Sequence, residues 1–201
     1  MAITTCKGFT YAKVSGGGAG SAVTYTGGTA LVDYLAKVDI NEERTNEDEY
    51  ADGHKIDSEK IPTGVSMALE LVAMSDSIRQ DILGLEPASN TSGADLLLTE
   101  TDPPFVGAGC LMADRFKGAT SWIGIWIYKI QFAHQGISAE TRRERTVFQH
   151  ESINGDAVGV QLASDGKVCY YAMKSGMTES TARTWLNTHA GVSSSSGGGS
   201  P

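Results

Sequence analysis

Hydrophobic and polar residues alternate along much of the chain, and this pattern predicts a protein built mainly from β-strands. Residues 63–73 are the clearest example, because every second residue from Val65 to Leu71 is apolar. Residues 30–40 alternate in the same way. Residues 122–133 begin apolar on both faces and then alternate, as expected of a central strand that emerges from cover. Further strands are predicted over residues 6–14, 105–113, 139–150, 153–163 and 167–173.

Two segments with helical signals interrupt the strands. Ser75 is placed to cap a helix, Ile78 and Ile82 lie four residues apart, and Gly84 follows as a C-terminal stop. A second helix is predicted over residues 178–189, with a threonine cap and an apolar stripe. About eight strands and two helices that do not alternate strictly predict an α+β, mainly β fold: a sandwich of antiparallel strands flanked by a helix.

One segment follows neither pattern. Residues 41–60 contain eight acidic and three basic residues and lie between two predicted strands. The segment is too polar for the core, so we expect a long acidic inter-strand loop that faces solvent or a partner. Its acidic residues do not have the spacing of a calcium-binding loop.

Length and charge limit the classes of protein that remain. The chain has 201 residues and a net charge of −8, which predicts one domain over residues 1–191 and a flexible Ser/Gly-rich tail over 192–201. An acidic chain is a poor binder of nucleic acid phosphates. The N-terminus lacks the apolar core of a secretory signal, and the longest apolar stretch is too short to span a bilayer.

The sequence contains no catalytic or metal-binding signature. Its three cysteines are widely spaced, its four histidines are scattered, and no nucleophile motif is present. We therefore expect no enzymatic activity, cofactor or metal. Cys110 lies in an apolar strand, which predicts a buried structural thiol.

A basic cluster near residue 143 is the natural complement of the acidic segment. Three arginines in a net-acidic chain are a weak footprint for DNA binding. Their charge instead favours pairing between this cluster and the acidic loop of a neighbouring subunit. The candidate interface residues are Glu42, Glu43, Glu47, Asp48, Glu49, Tyr50, Asp52, Arg142, Arg143 and Arg145.

The order of these segments resembles the major tail protein family, the tail tube subunits of long-tailed phages. The resemblance covers roughly residues 6–190, and the Ser/Gly tail departs from it. It is carried by KGFTYAKV (7–14), residues 29–40 with YADG (50–53), VSMALELVAMSDSIRQDILGL (65–85), PPFVGAGCLM (103–112), WIGIWIYKIQFA (122–133), ETRRERTVFQ (140–149) and SINGDAV (152–158).

The resemblance implies a structural virion protein. Family members fold as a β-sandwich flanked by a helix and assemble into stacked hexameric rings, which form a hollow tube that delivers DNA into the host. It implies synthesis in the host cytoplasm, a place in the virion tail, and partners among the tape-measure, tail-tip and tail-terminator proteins. DNA passes through without specific binding, and the long loop bridges subunits. The polar faces of the two most amphipathic strands supply candidate lumen-facing residues: Ser66, Glu70, Lys129 and Gln131.

Two alternatives remain at this stage. The first is the inner tube of a contractile injection machine, which shares the fold and is distinguished by a sheath partner. The second is a β-sandwich carbohydrate-binding module, which predicts exposed Trp122 or Trp126, whereas the tube interpretation predicts both buried. For the free tube subunit we also expect residues 41–60 to be mobile and to become ordered on stacking.

Overall fold

An antiparallel sheet of eight strands dominates the computed structural model, which describes residues 3–17, 23–29, 35–51, 54–88, 95–116, 119–134, 150–162 and 166–192. The strands are β1 (Ile3–Gly16), β2 (Thr24–Thr26), β3 (Leu35–Ala51), β4 (His54–Leu71), β5 (Glu86–Pro87), β6 (Leu96–Leu97), β7 (Phe105–Phe116), β8 (Ala119–His134), β9 (Glu151–Ala157), β10 (Val160–Gln161), β11 (Val168–Cys169) and β12 (Tyr171–Met177). The main sheet has the order β2-β1-β7-β8-β9-β4-β3, with β12 also paired to β8. The mainly β fold class is therefore confirmed.

Strand β8 organises the sheet because it pairs with three neighbours. One side pairs with β7, while the other pairs with β12 in its first half and with β9 in its second half. All residues from Ile123 to Ile127 are buried, and from Lys129 to Phe132 half-buried residues alternate with buried ones. This is the central strand that its pattern predicted.

The sheet curls around one apolar core. Inward side chains from β1, β4, β7, β8 and β9 meet in a single cluster that includes Phe9, Met67, Cys110, Phe132 and Ile153. The curl brings β1 against β3, where the Cys6 thiol lies 3.7 Å from the Ala36 carbonyl oxygen. The period-two pattern of β4 is confirmed, since Val65, Met67, Leu69 and Leu71 are all buried.

Helix α1 (Asp76–Leu83) closes one side of this core with Ile78 and Ile82. The Ser75 hydroxyl accepts a hydrogen bond from the backbone N–H of Ile78, and Gly84 ends the helix in the left-handed conformation. Both ends of the helix are where the capping residues predicted them.

Helix α2 (Glu179–His189) covers the opposite face of the sheet. Ala182 and Leu186 pack against Leu111 and Trp126 in a second buried cluster. Its predicted cap is confirmed, because the Thr178 hydroxyl accepts a hydrogen bond from the Thr181 N–H at 3.2 Å.

The expectation of a loop over residues 41–60 is wrong. Residues 41–51 and 54–60 continue β3 and β4 as one antiparallel hairpin, paired from Leu35 with Leu71 to Ala51 with His54. A strand pair with water on both faces shows no apolar alternation, so its composition is that of a loop although its backbone pairs along most of its length. The predicted strand over 139–149 and the tail over 193–201 lie outside the described residues.

Candidate functional site

The β3–β4 hairpin extends beyond the core as a two-stranded ribbon, defined here as residues 44–51 and 54–63. Every described side chain in it is exposed, whereas Val65, two residues after the end of the ribbon, is buried. Two isoleucines, Ile56 and Ile61, are 59% and 38% exposed. Within the described chain, each strand of the ribbon pairs only with the other.

Like charges face each other across the ribbon. Glu47 pairs in register with Glu59, and Glu49 pairs with Asp57. Residues directly opposite in an antiparallel pair lie close together on one face, so the match of Glu47 with Glu59 is unfavourable. Nothing within the ribbon explains this arrangement, which is typical of a surface shaped for a partner.

The other face of the ribbon carries a compensated charge. The Lys55 ammonium lies 2.5 Å from a carboxylate oxygen of Asp48, and the Ser58 hydroxyl donates to that oxygen at 2.8 Å. These contacts lower the pKa of Asp48, with the hydrogen bond from Lys55 as the largest cause. One face is therefore neutralised from within the chain, whereas the Glu47–Glu59 face is not.

The root of the ribbon is tied to β12 by Glu42. One carboxylate oxygen accepts a hydrogen bond from the Tyr171 hydroxyl at 2.5 Å, and the other accepts one from Arg44 at 2.6 Å. Both contacts lower the pKa of Glu42, the contact with Tyr171 more strongly. Glu42 was a candidate from sequence, but Tyr171 was not, and no sequence signal links two residues 129 positions apart.

A groove opens beside this contact, between β3 on one side and β1, β7, β8 and β12 on the other. It has a volume of about 340 Å³. Most of its lining is apolar, and Tyr171 and Glu42 border it. The apolar lining residues are Ile3, Val38, Ile40, Met112 and Ile125.

Several candidate interface residues cannot be placed. Arg142, Arg143, Arg145 and Asp52 lie outside the described residues, and only the backbone of Glu49 and Tyr50 is described. The Glu43 carboxylate lies beside Gly64, where an added Cβ would be 3.1 Å from its Oε2 atom. Pairing between the basic cluster and the ribbon therefore stays a prediction.

The four candidate lumen residues lie on one face of the sheet. Ser66 pairs with Asp156, which pairs in turn with Gln131, so these side chains form a row across three strands. Glu70 and Lys129 share that face because each lies an even number of residues from a member of the row. All four are half-buried in the single chain.

Two of these four are engaged by local contacts. The Gln131 amide donates to the Pro103 carbonyl oxygen at 2.6 Å. The Lys129 ammonium lies 4.4 Å from the centre of the Phe105 ring. The acidic groups on this face are Asp39, Glu43, Glu70 and Asp156, and the basic ones are Lys37 and Lys129. The described part of the face is therefore net acidic.

Of the aromatic and thiol groups singled out in the sequence, Trp126 and Cys110 are buried, whereas Trp122 lies at the edge of the second cluster. Trp126 is fully buried and donates from its indole to the Tyr25 hydroxyl at 3.2 Å. Trp122 is half-buried, with the Lys7 ammonium 6.0 Å from its ring centre. Cys110 is fully buried as predicted, and burial raises the pKa of its thiol to about 12.

Among the described residues, no group of three His, Cys, Asp or Glu side chains is arranged to hold a metal ion. None of the helices described is long and apolar enough to cross a membrane. Comparison with models of known protein families gives no match, and comparison with curated proteins gives no significant match.

Proposed function

We propose that this chain is a self-assembling structural protein, the tube subunit of a long-tailed phage. The observation that carries the proposal is the ribbon, which leaves the core with both faces in water. A two-stranded ribbon is marginally stable by itself. A neighbouring subunit that covers it would supply the missing packing, and hexameric rings that stack into a tube provide such a neighbour.

Unpaired strand edges support the same proposal. Within the described chain, β3 pairs with β4 alone and runs for 17 residues. A long free edge favours aggregation unless another strand pairs with it or something covers it. In a closed ring, the sheets of neighbouring subunits pair edge to edge, so no such edge stays unpaired. When rings stack, only the two ends of the filament remain open.

The net acidic face of β3, β4, β9 and β8 is the proposed lumen wall. A wall with excess negative charge repels DNA phosphates, so that DNA slides past without being held. In this proposal the tape-measure, tail-tip and tail-terminator proteins are the other partners, and the virion tail is the location.

The first test is negative-stain microscopy of the purified chain over a concentration series, with and without tail-tip components. We expect rings or hollow tubes. A chain that stays monomeric at every concentration, even with tail-tip components, contradicts the proposal.

A charge swap tests which residues make the contact. Replacing Arg143 and Arg145 with glutamate should weaken assembly, and adding Glu47→Lys and Glu59→Lys should restore it. Glu86→Lys, an exposed change of the same charge outside the ribbon, is the control for net charge. If charge reversal at the two arginines leaves assembly unchanged, the basic cluster is not part of the interface.

A further inference from the structure

The root of the ribbon combines three features that weaken a strand pair. The register shifts between Glu43 and Arg44, so that Glu43 faces Gly64 while Arg44 faces Pro62, and Thr63 is left without a partner. Pro62 has no N–H to donate to the ladder, and glycine adds backbone freedom. A bulge at this point bends the strand that carries it. The ladder is therefore easiest to deform where the ribbon leaves the core.

The groove next to this root leaves space for movement. Val38 and Ile40 are only half-buried, because they pack against the core on one side and line the groove of about 340 Å³ on the other. Close-packed interiors resist displacement, whereas a lining that lacks contacts on one side does not. Packing therefore holds this part of β3 less firmly than it holds the fully buried strands.

The Glu42 carboxylate bridges the two sides of the groove. It joins the Tyr171 hydroxyl on β12 at 2.5 Å to Arg44 at the start of the ribbon at 2.6 Å. The Tyr171 hydroxyl supplies a side-chain contact from outside the hairpin at this root, next to the point where the backbone pairing of β4 with β9 ends at Val65 and Ala157. We propose that Glu42, Tyr171 and Arg44 form a latch that holds the ribbon at one angle to the core, with the Gly64–Pro62 bulge as its hinge.

Release of the latch lets the ribbon swing without loss of the β3–β4 pairing or of the core. The inference concerns the single subunit, so it holds whether or not the chain assembles into a tube. Loss of one hydrogen bond to a charged acceptor should raise the ratio of swung to latched ribbon by roughly tenfold or more.

Electron–electron distance measurement between two nitroxides tests this directly. The labels go on cysteines introduced by Lys60→Cys on the ribbon and Ser180→Cys on α2, with Cys6 and Cys169 changed to serine. Cys110 is buried and stays in place. Dilution with unlabelled protein removes distances between subunits.

Tyr171→Phe removes only the latch hydroxyl, and Glu42→Gln provides a second variant. Tyr170→Phe is the matched control, because Tyr170 is also half-buried and its hydrogen bond to the described chain is made by its backbone carbonyl oxygen, which the substitution keeps. We expect one narrow distance population in the parent and the control, and additional distances in both latch variants. Unchanged distances in both variants, an equal effect of Tyr170→Phe, or a parent as broad as the variants would each overturn the latch.

Discussion

At the residue scale, Tyr25 joins β2 to the central strand. Its hydroxyl donates to the Tyr128 carbonyl oxygen at 2.7 Å and accepts from the Trp126 indole at 3.2 Å. Tyr25→Phe removes both bonds and leaves the buried indole N–H without its partner. We expect a loss of about 1–3 kcal/mol in the free energy of unfolding, measured by urea denaturation. Tyr170→Phe is the control, and an equal loss there would contradict this role.

The same residue predicts how stability changes at alkaline pH. Burial raises the pKa of Tyr25 to about 12, so the folded state favours the neutral phenol. Its contribution is complete below the pKa of an unfolded tyrosine, about 10, and is lost as pH rises from there through 12. The stability difference between parent and Tyr25→Phe should shrink over this window. A constant difference would show that Tyr25 titrates like an unfolded tyrosine.

Gly155 in β9 lies where the core leaves no space for a side chain. An added Cβ would lie 2.6 Å from a ring carbon of Phe132 and 2.8 Å from Ile130. Alanine favours a strand over glycine by roughly 0.5–1 kcal/mol, but overpacking a core costs roughly 1–3 kcal/mol. We therefore expect Gly155→Ala to lower the free energy of unfolding. Asn154→Ala, on the exposed face, should have little effect, and a stabilising Gly155→Ala would show that Phe132 moves freely.

At the element scale, the like-charge pairs limit the stability of the ribbon. Glu59→Lys converts the Glu47–Glu59 pair into an opposite-charge pair, which should favour the strand pairing by roughly 0.2–1 kcal/mol. Amide exchange in residues 44–51 and 54–63 should slow, while exchange in the core stays the same. Glu86→Lys makes the same charge change outside the ribbon, and equal slowing there would assign the effect to net charge.

The elements that could be predicted from sequence are those with local causes. Because one face of β4 is buried, every second residue from Val65 to Leu71 is apolar. The caps at Ser75 and Thr178 mark the starts of the helices through hydrogen bonds to residues three positions away. The ribbon was missed because a strand pair in water leaves no such alternation. The contact between Glu42 and Tyr171 depends on how β12 and β3 meet in space, so it has no local signature.

At the scale of the whole molecule, the body and the ribbon contribute separately to stability. The buried clusters draw on β1, β4, β7, β8, β9 and the two helices, and none of their buried members lies in residues 44–51 or 54–63. Hydrophobic burial is the dominant favourable term in folding. The body should therefore fold without the ribbon, whereas contacts to other subunits should depend on it.

Shortening the ribbon tests this division. Because Glu43 and Gly64 face each other, an Asn-Gly turn can replace residues 44–63 and close the hairpin at its root without using Pro62, which has no N–H to close a turn. We expect the free energy of unfolding to change by less than about 1 kcal/mol, since only exposed side chains are removed. Assembly into rings or tubes, measured by microscopy and sedimentation, should be lost. A chain with the same turn that still assembles would exclude the ribbon as the subunit contact, and one that unfolds would show that body and ribbon are a single cooperative unit.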